Sequence, residues 1–132
     1  MELKWIEFVK KSRTIPWDYD IYEICIEQTA IGRMVFRYGS SKQLRYCGQI
    51  GYHIETDYRG HGYAYQALCL LLDQLKEKGI ERVTITCAKD NVASQKTIEK
   101  THVLHRYLET QIDDPEYRQS GGLWIYEIGV SI

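Results

Sequence analysis

Tyr58-Arg59-Gly60-His61-Gly62-Tyr63-Ala64 joins a strand-like segment, residues 49–54, to a strongly periodic helix. Its glycines permit tight, close-approach backbone geometry, so several consecutive N–H groups and the positive end of the helix dipole can converge on one anion such as a phosphate. Arg59 and His61 add side-chain donors beside them. In the helix, Ala64, Ala67, Leu68, Leu71, Leu72 and Leu75 recur at helical spacing, and Asp73, Gln74, Lys76, Glu77 and Lys78 occupy the other face. Gly79 closes it, because a glycine just past the last periodic position supplies a left-handed cap. Taken alone, two glycines one residue apart also fit a strand-to-helix turn without a ligand. The Gly-Lys-Ser/Thr of a P-loop is absent, and the preceding segments read as consecutive strands, unlike the strand–helix alternation of a dinucleotide fold.

Upstream of this unit, residues 20–28 and 30–38 are rich in strand formers and read as a hairpin, and residues 46–55 as a third strand. Residues 3–11 fit a short helix or a strand equally well. Downstream, Arg82-Val83-Thr84-Ile85-Thr86-Cys87 is a β-branched run too short for a helix and too apolar for an exposed strand. It is expected to be a central strand parallel to its predecessor, making the connection a βαβ crossover. Asp90 or Asn91 caps a second helix that ends near Glu99-Lys100, and residues 103–111 and 122–130 complete the strands. The expected architecture is a mixed α/β sheet.

At 132 residues the chain should form one domain, residues 1–132. Its formal net charge of −1 gives no footprint for nucleic acid or an anionic membrane. No apolar run approaches the roughly 18 residues of a membrane span, and Met1-Glu2-Leu3-Lys4-Trp5 does not resemble a signal peptide, so a cytoplasmic location is expected. Cys25, Cys47, Cys69 and Cys87 are widely spaced in mostly apolar segments and read as small hydrophobes. His102 and His105 can share a helix face, but no carboxylate or cysteine pattern accompanies them, and no metal is expected. Eleven tyrosines point to a polar-rimmed cleft or interface.

These segments together resemble the GCN5-related N-acetyltransferase superfamily, in particular its ribosomal-protein N-terminal acetyltransferase branch. Arg59-Gly60-His61-Gly62-Tyr63-Ala64 is similar to that family's acyl-CoA loop, and Gly62-Tyr63-Ala64-Tyr65-Gln66-Ala67-Leu68 to its usual helix start. Asn91-Val92-Ala93-Ser94 with Ile98-Glu99-Lys100 resembles its second-helix motif, and the likeness covers about residues 20–130. The resemblance implies a mostly antiparallel sheet whose central parallel pair splays to admit the pantetheine arm of acetyl-CoA. Ile54 would then offer its backbone to that arm, residues 59–64 would cradle the pyrophosphate, and Asn91 and Ser94 would reach the pantetheine from the other side. Lys96 would approach the nucleotide end or be a solvated helix residue, and Asn91 and Ser94 also fit simple helix capping.

The implied reaction is direct attack of an amine on the thioester, the amine of a peptide, a protein or a small metabolite first losing a proton to a base or a water chain. The chain departs from the family at three places. Ile98 stands where many relatives carry a tyrosine acid, and Ile50 where many carry Glu or His; the common Gly-Phe after the second helix is His102-Val103. His53 and Glu55 are therefore the candidate bases and Tyr126 the candidate acid, each also explicable as a solvated or packed strand residue. Acetyl-CoA and an amine acceptor are the expected partners, with homodimerisation open. The departures leave two alternatives: a catalytically silent acyl-CoA-binding regulatory module, and a tyrosine-rich structural domain with no ligand.

Overall fold

A computed structural model describes residues 1–118 and 121–131. Four strands, β1 (Glu2–Val9), β2 (Asp18–Ile26), β3 (Thr29–Tyr38) and β4 (Ile50–Ile54), form an antiparallel sheet in sequence order. A 3-10 turn (Thr56–Tyr58) leads into helix α1 (Tyr63–Glu77), followed by β5 (Arg82–Ala88) and helix α2 (Val92–Glu99). Strand β6 (His102–Glu109), a one-turn helix α3 (Pro115–Arg118) and β7 (Leu123–Gly129) complete the chain, the second sheet running β5-β7-β6 and being antiparallel throughout.

The apolar face of α1 is the keystone. Ala67, Leu68, Leu71, Leu72 and Leu75 are all buried, in one cluster with Tyr22, Met34 and Phe36 of the first sheet and Val83, Ile85 and Ile128 of the second. Each fully buried Leu contributes about 1.5–3 kcal/mol. At the end of α1, Gly79 takes φ +82° and the Ile80 N–H reaches back to the Leu75 carbonyl at 3.0 Å.

The hairpin expected over 20–38 is present, but its turn uses Glu27 and Gln28 at φ +48° and +70°, two successive left-handed residues with no glycine. Of residues 3–11, those up to Val9 belong to the edge strand β1, since the β2 edge supplies a ladder that an amphipathic reading of so short a segment cannot foresee. The third strand begins at Ile50 instead of 46, because Tyr46 and Cys47 lie in a turn that ends on Gly48 at φ +71°. His102 and His105 sit on β6 and share no helix face; among the described residues no group of three or more His, Cys, Asp or Glu side chains is placed to hold a metal. No helix among the described residues is long and apolar enough to cross a membrane.

Strands β4 and β5 belong to different sheets, so the expected central pair forms no ladder. They are pinned at one end only. Gln49 N–H donates to the Thr84 carbonyl at 2.8 Å, Thr84 N–H donates to Gln49 Oε1 at 2.9 Å, and Thr86 Oγ1 donates to the Tyr46 carbonyl at 2.6 Å. Gly48 permits this approach: a Cβ there would lie 3.0 Å from the Thr84 oxygen. Beyond the pin the strands diverge.

Candidate functional site

The divergence opens a cleft of about 830 Å³ between β4 and β5, which reaches the glycine loop at one end and the β6–β7 connection at the other. Its β4 wall is the edge of the first sheet, with no strand paired beyond it among the described residues. Arg37 N–H donates to the Gln49 carbonyl and Glu55 N–H to the Ile31 carbonyl, so Gly51, His53 and Glu55 spend their backbone groups on β3, while those of Tyr52 and Ile54 point away from it. Part of that edge is taken, because Arg59 Nε donates to the Ile54 carbonyl at 2.8 Å. Among the described residues the Ile54 N–H donates to no group of the chain.

At the loop, Gly60 and Gly62 hold φ +84° and +76°. Gly62 is the N-cap of α1, and the first helical bond runs from Gln66 N–H to its carbonyl at 3.2 Å. Among the described residues, the N–H groups of residues 60–65 donate to no group of the chain. They form a ring of free donors at the positive end of a 15-residue helix, the arrangement that binds phosphate. Gly60, Gly62, Tyr63, Ala64 and Arg59 line the cleft, whereas the His61 ring lies outside it, beside the Tyr63 ring at 5.5 Å.

Helix α2 forms the facing wall. Asn91 caps it, its Oδ1 accepting the Ser94 N–H at 3.1 Å, which leaves its side-chain amide donors for the cleft. The Ser94 hydroxyl pairs with the Tyr52 hydroxyl at 2.8 Å and so spans from β4 to α2. Lys96 lines the cleft together with Thr97 and Lys100, which the sequence reading did not single out; their recurrence with Ala93 at positions 93, 96, 97 and 100, along a single helix face, is the signal that could have found them.

The three candidate catalytic residues separate. His53 is exposed and lines the cleft. Glu55 is exposed, precedes the 3-10 turn and is not part of the cleft lining. Tyr126, at 0% exposure, lies in the core with its hydroxyl 3.3 Å from Glu99 Oε1, because β7 is the central strand of its sheet; it does not reach the cleft. Ile98 is equally buried, so the departure from the family's tyrosine is filled by core packing. Ile50 is buried likewise.

What stands in the cleft instead is Tyr52 and Cys87, neither foreseen as a site residue. Burial raises the Tyr52 hydroxyl above its usual range, partly offset by hydrogen bonds to Ser94 and Thr97. Burial pushes the Cys87 thiol up to about 11, against a smaller lowering by Ser94. A thiol held neutral in this way is a poor nucleophile at pH 7.

A family model described as acetyltransferase (GNAT) domain matches residues 2–103, most of the chain. No curated protein matches. Among solved structures, the chain is similar to the ribosomal-protein acetyltransferase RimL in complex with coenzyme A, at TM-score 0.65 and 22% identity over 83% of this chain and 60% of that one. It is also similar to the microcin self-immunity acetyltransferase MccE in complex with acetyl-CoA and AMP (0.62, 19%, 84% and 61%), and to a GNAT-family acetyltransferase from Bacillus anthracis (0.65, 20%, 86% and 67%). The chain thus spans about three-fifths of the length of the first two. With its glycine loop, splayed strands and capped second helix in that order, and with the family match over residues 2–103, this chain belongs to the GNAT acetyltransferase domain family.

Proposed function

We propose that the chain transfers an acetyl group from acetyl-CoA to a primary amine of a peptide, a protein or a small metabolite by direct attack. The observation that carries this reading is the ring of unpartnered N–H groups over residues 60–65, opening onto an unpaired β4 edge. Those donors suit a pyrophosphate, and the Ile54 N–H suits the amide-rich arm that would follow it into the cleft. Asn91 and Ser94 would contact the arm from α2, with Lys96, Lys100 and the Arg59 guanidinium beside the nucleotide's phosphates. His61 contributes its backbone donor only. Acetyl-CoA supplies an activated thioester, which needs no covalent enzyme intermediate.

The chain's own groups fit direct transfer. His53 is the one of the three catalytic candidates that borders the cleft, and it is the base proposed here; Glu55 and Tyr126 are set aside on their positions. Tyr52, whose hydroxyl stays protonated at neutral pH, can hydrogen-bond a departing thiolate but not protonate it fully, since a thiol near 8.5 is the stronger acid. Cys87 stays neutral, which disfavours an acyl-cysteine route. The four free cysteines accord with the reducing cytoplasm, which we propose as the location.

The test is calorimetric titration with CoA together with thiol release from acetyl-CoA over a panel of amines. Binding with turnover on at least one amine is expected. Binding with no turnover on any would reduce the chain to an acyl-CoA-binding module, and absence of binding would defeat the reading altogether.

A further inference from the structure

At the end of the cleft remote from the glycine loop stands a fixed cation. Arg37, on β3, is half-buried, and its Nη1 donates to the Cys47 carbonyl at 3.0 Å and to the Gly48 carbonyl at 3.2 Å. These two bonds tie the guanidinium to the turn that pins β4 against β5. It lies against Gly51, close enough that a Cβ there would fall 2.8 Å from Nη2. Only glycine leaves it that room.

Among the described residues Arg37 has no carboxylate partner, and its Nη2 and Nε make no hydrogen bond within the chain. A guanidinium held by one nitrogen and open at the others is a prepared fork for a planar anion. Opposite it, the short helix α3 brings Glu116 and Tyr117 to the same end of the cleft. That helix is held there by the preceding loop, where Asp113 accepts from Arg45 at 3.2 Å and from the Tyr46 hydroxyl at 2.7 Å. Both Arg37 and Glu116 act electrostatically on Cys47 and Tyr117, yet they form no ion pair with each other. A positive and a negative group thus flank one space.

We infer that this end of the cleft receives the acceptor, and that the acceptor is an amine bearing a nearby carboxylate, which Arg37 reads while Glu116 attracts the ammonium before it loses its proton. The inference rests on the acetyl-transfer reading, which brings the thioester in from the opposite end. Arg37 is here a specificity determinant; the chemistry of attack stays with the groups near His53. Two sources share this recognition chemistry: the α-carboxylate of a free amino acid, and the acidic side chain of a peptide's first residue.

The experiment follows thiol release from acetyl-CoA in two arms. One compares each free amino acid with its carboxamide, and the other compares amidated peptides opening on aspartate or glutamate with those opening on asparagine or glutamine. In at least one arm kcat/KM for the carboxylate partner should exceed that of its amide by about tenfold or more, as loss of a charged hydrogen-bond partner requires. Arg37→Met should bring that ratio to within about twofold of unity, mainly through KM. Gly51→Ala, which keeps the charge but displaces the guanidinium, should lower the same ratio and stands in should Arg37→Met fail to fold. No preference in either arm, a preference that survives both variants, or no carboxylate-bearing amine turned over overturns the inference. CoA binding measured separately then shows whether the acetyl-transfer reading falls with it.

Discussion

Gly60 and Gly62 would meet no atom within 4 Å if they carried a Cβ, so space does not explain why glycine stands there. Their dihedrals do. At φ +84° and +76° an L-side chain is strained, by about 1–3 kcal/mol for a residue forced into this region. Gly62→Val should therefore weaken CoA binding by about tenfold or more, each factor of ten being about 1.4 kcal/mol. Arg59→Ala removes an exposed cation whose Nε is already spent on the Ile54 carbonyl, and should weaken it only about two- to fivefold. Calorimetry on both variants checks the order; equal effects would place the phosphate on side chains instead of amides. Cys87 makes a second prediction at this scale. Folding holds its thiol protonated to about 11 against an ordinary 9.0, so the folded chain binds the extra proton between those values and stability falls as pH rises through that window. Urea unfolding from pH 8 to pH 11 should show a steeper loss than in Cys87→Ala, and mass spectrometry after incubation with acetyl-CoA alone should find no acetylated cysteine.

Among the elements, the β2–β3 turn is costly for its sequence. Glu27 and Gln28 occupy two successive left-handed positions, each costing a non-glycine residue about 1–2 kcal/mol, where Asn-Gly is the favoured pair. The double change Glu27→Asn and Gln28→Gly should raise stability by about 1 kcal/mol, read as a higher urea midpoint at unchanged slope. An unchanged midpoint would mean that ladder pairing alone sets this hairpin. How much of each element was legible depended on how local its cause was. Helix α1 announces itself through spacing, glycine cap and length. β1 could not be read, since nothing within residues 3–11 chooses between helix and strand until β2 offers an edge; the start of β4 shifted because Gly48 turns the chain against β5, a contact some 36 residues away in sequence.

For the whole molecule, the two sheets meet through the α1 core and a narrow pin at Gln49 and Thr84, so a ligand that bonds both cleft walls should act as a third connection. At 100 times its Kd, CoA should add about 2.7 kcal/mol of stability, a rise in Tm of roughly 5–15 °C for a domain of this size. Hydrogen exchange should slow at the Ile54 amide and over residues 60–65 in the same experiment. A Tm rise without protection at these amides would locate binding elsewhere.

The sequence by itself determined the strand–loop–helix unit, a second helix starting at Asp90 or Asn91 and the family resemblance, because each motif is written in residues close together along the chain. Only the tertiary structure decided which side chains meet in the cleft. A strand residue's identity does not reveal whether its neighbours will be solvent, core or the opposite wall: Tyr126 looked available and is sealed in the central strand, whereas Tyr52, Cys87 and Arg37 looked ordinary and face the gap. That gap exists because two sheets, tied at one end by Gln49 and held by one helix, diverge in space. Divergence between strands separated by a whole helix leaves no local signature in the sequence.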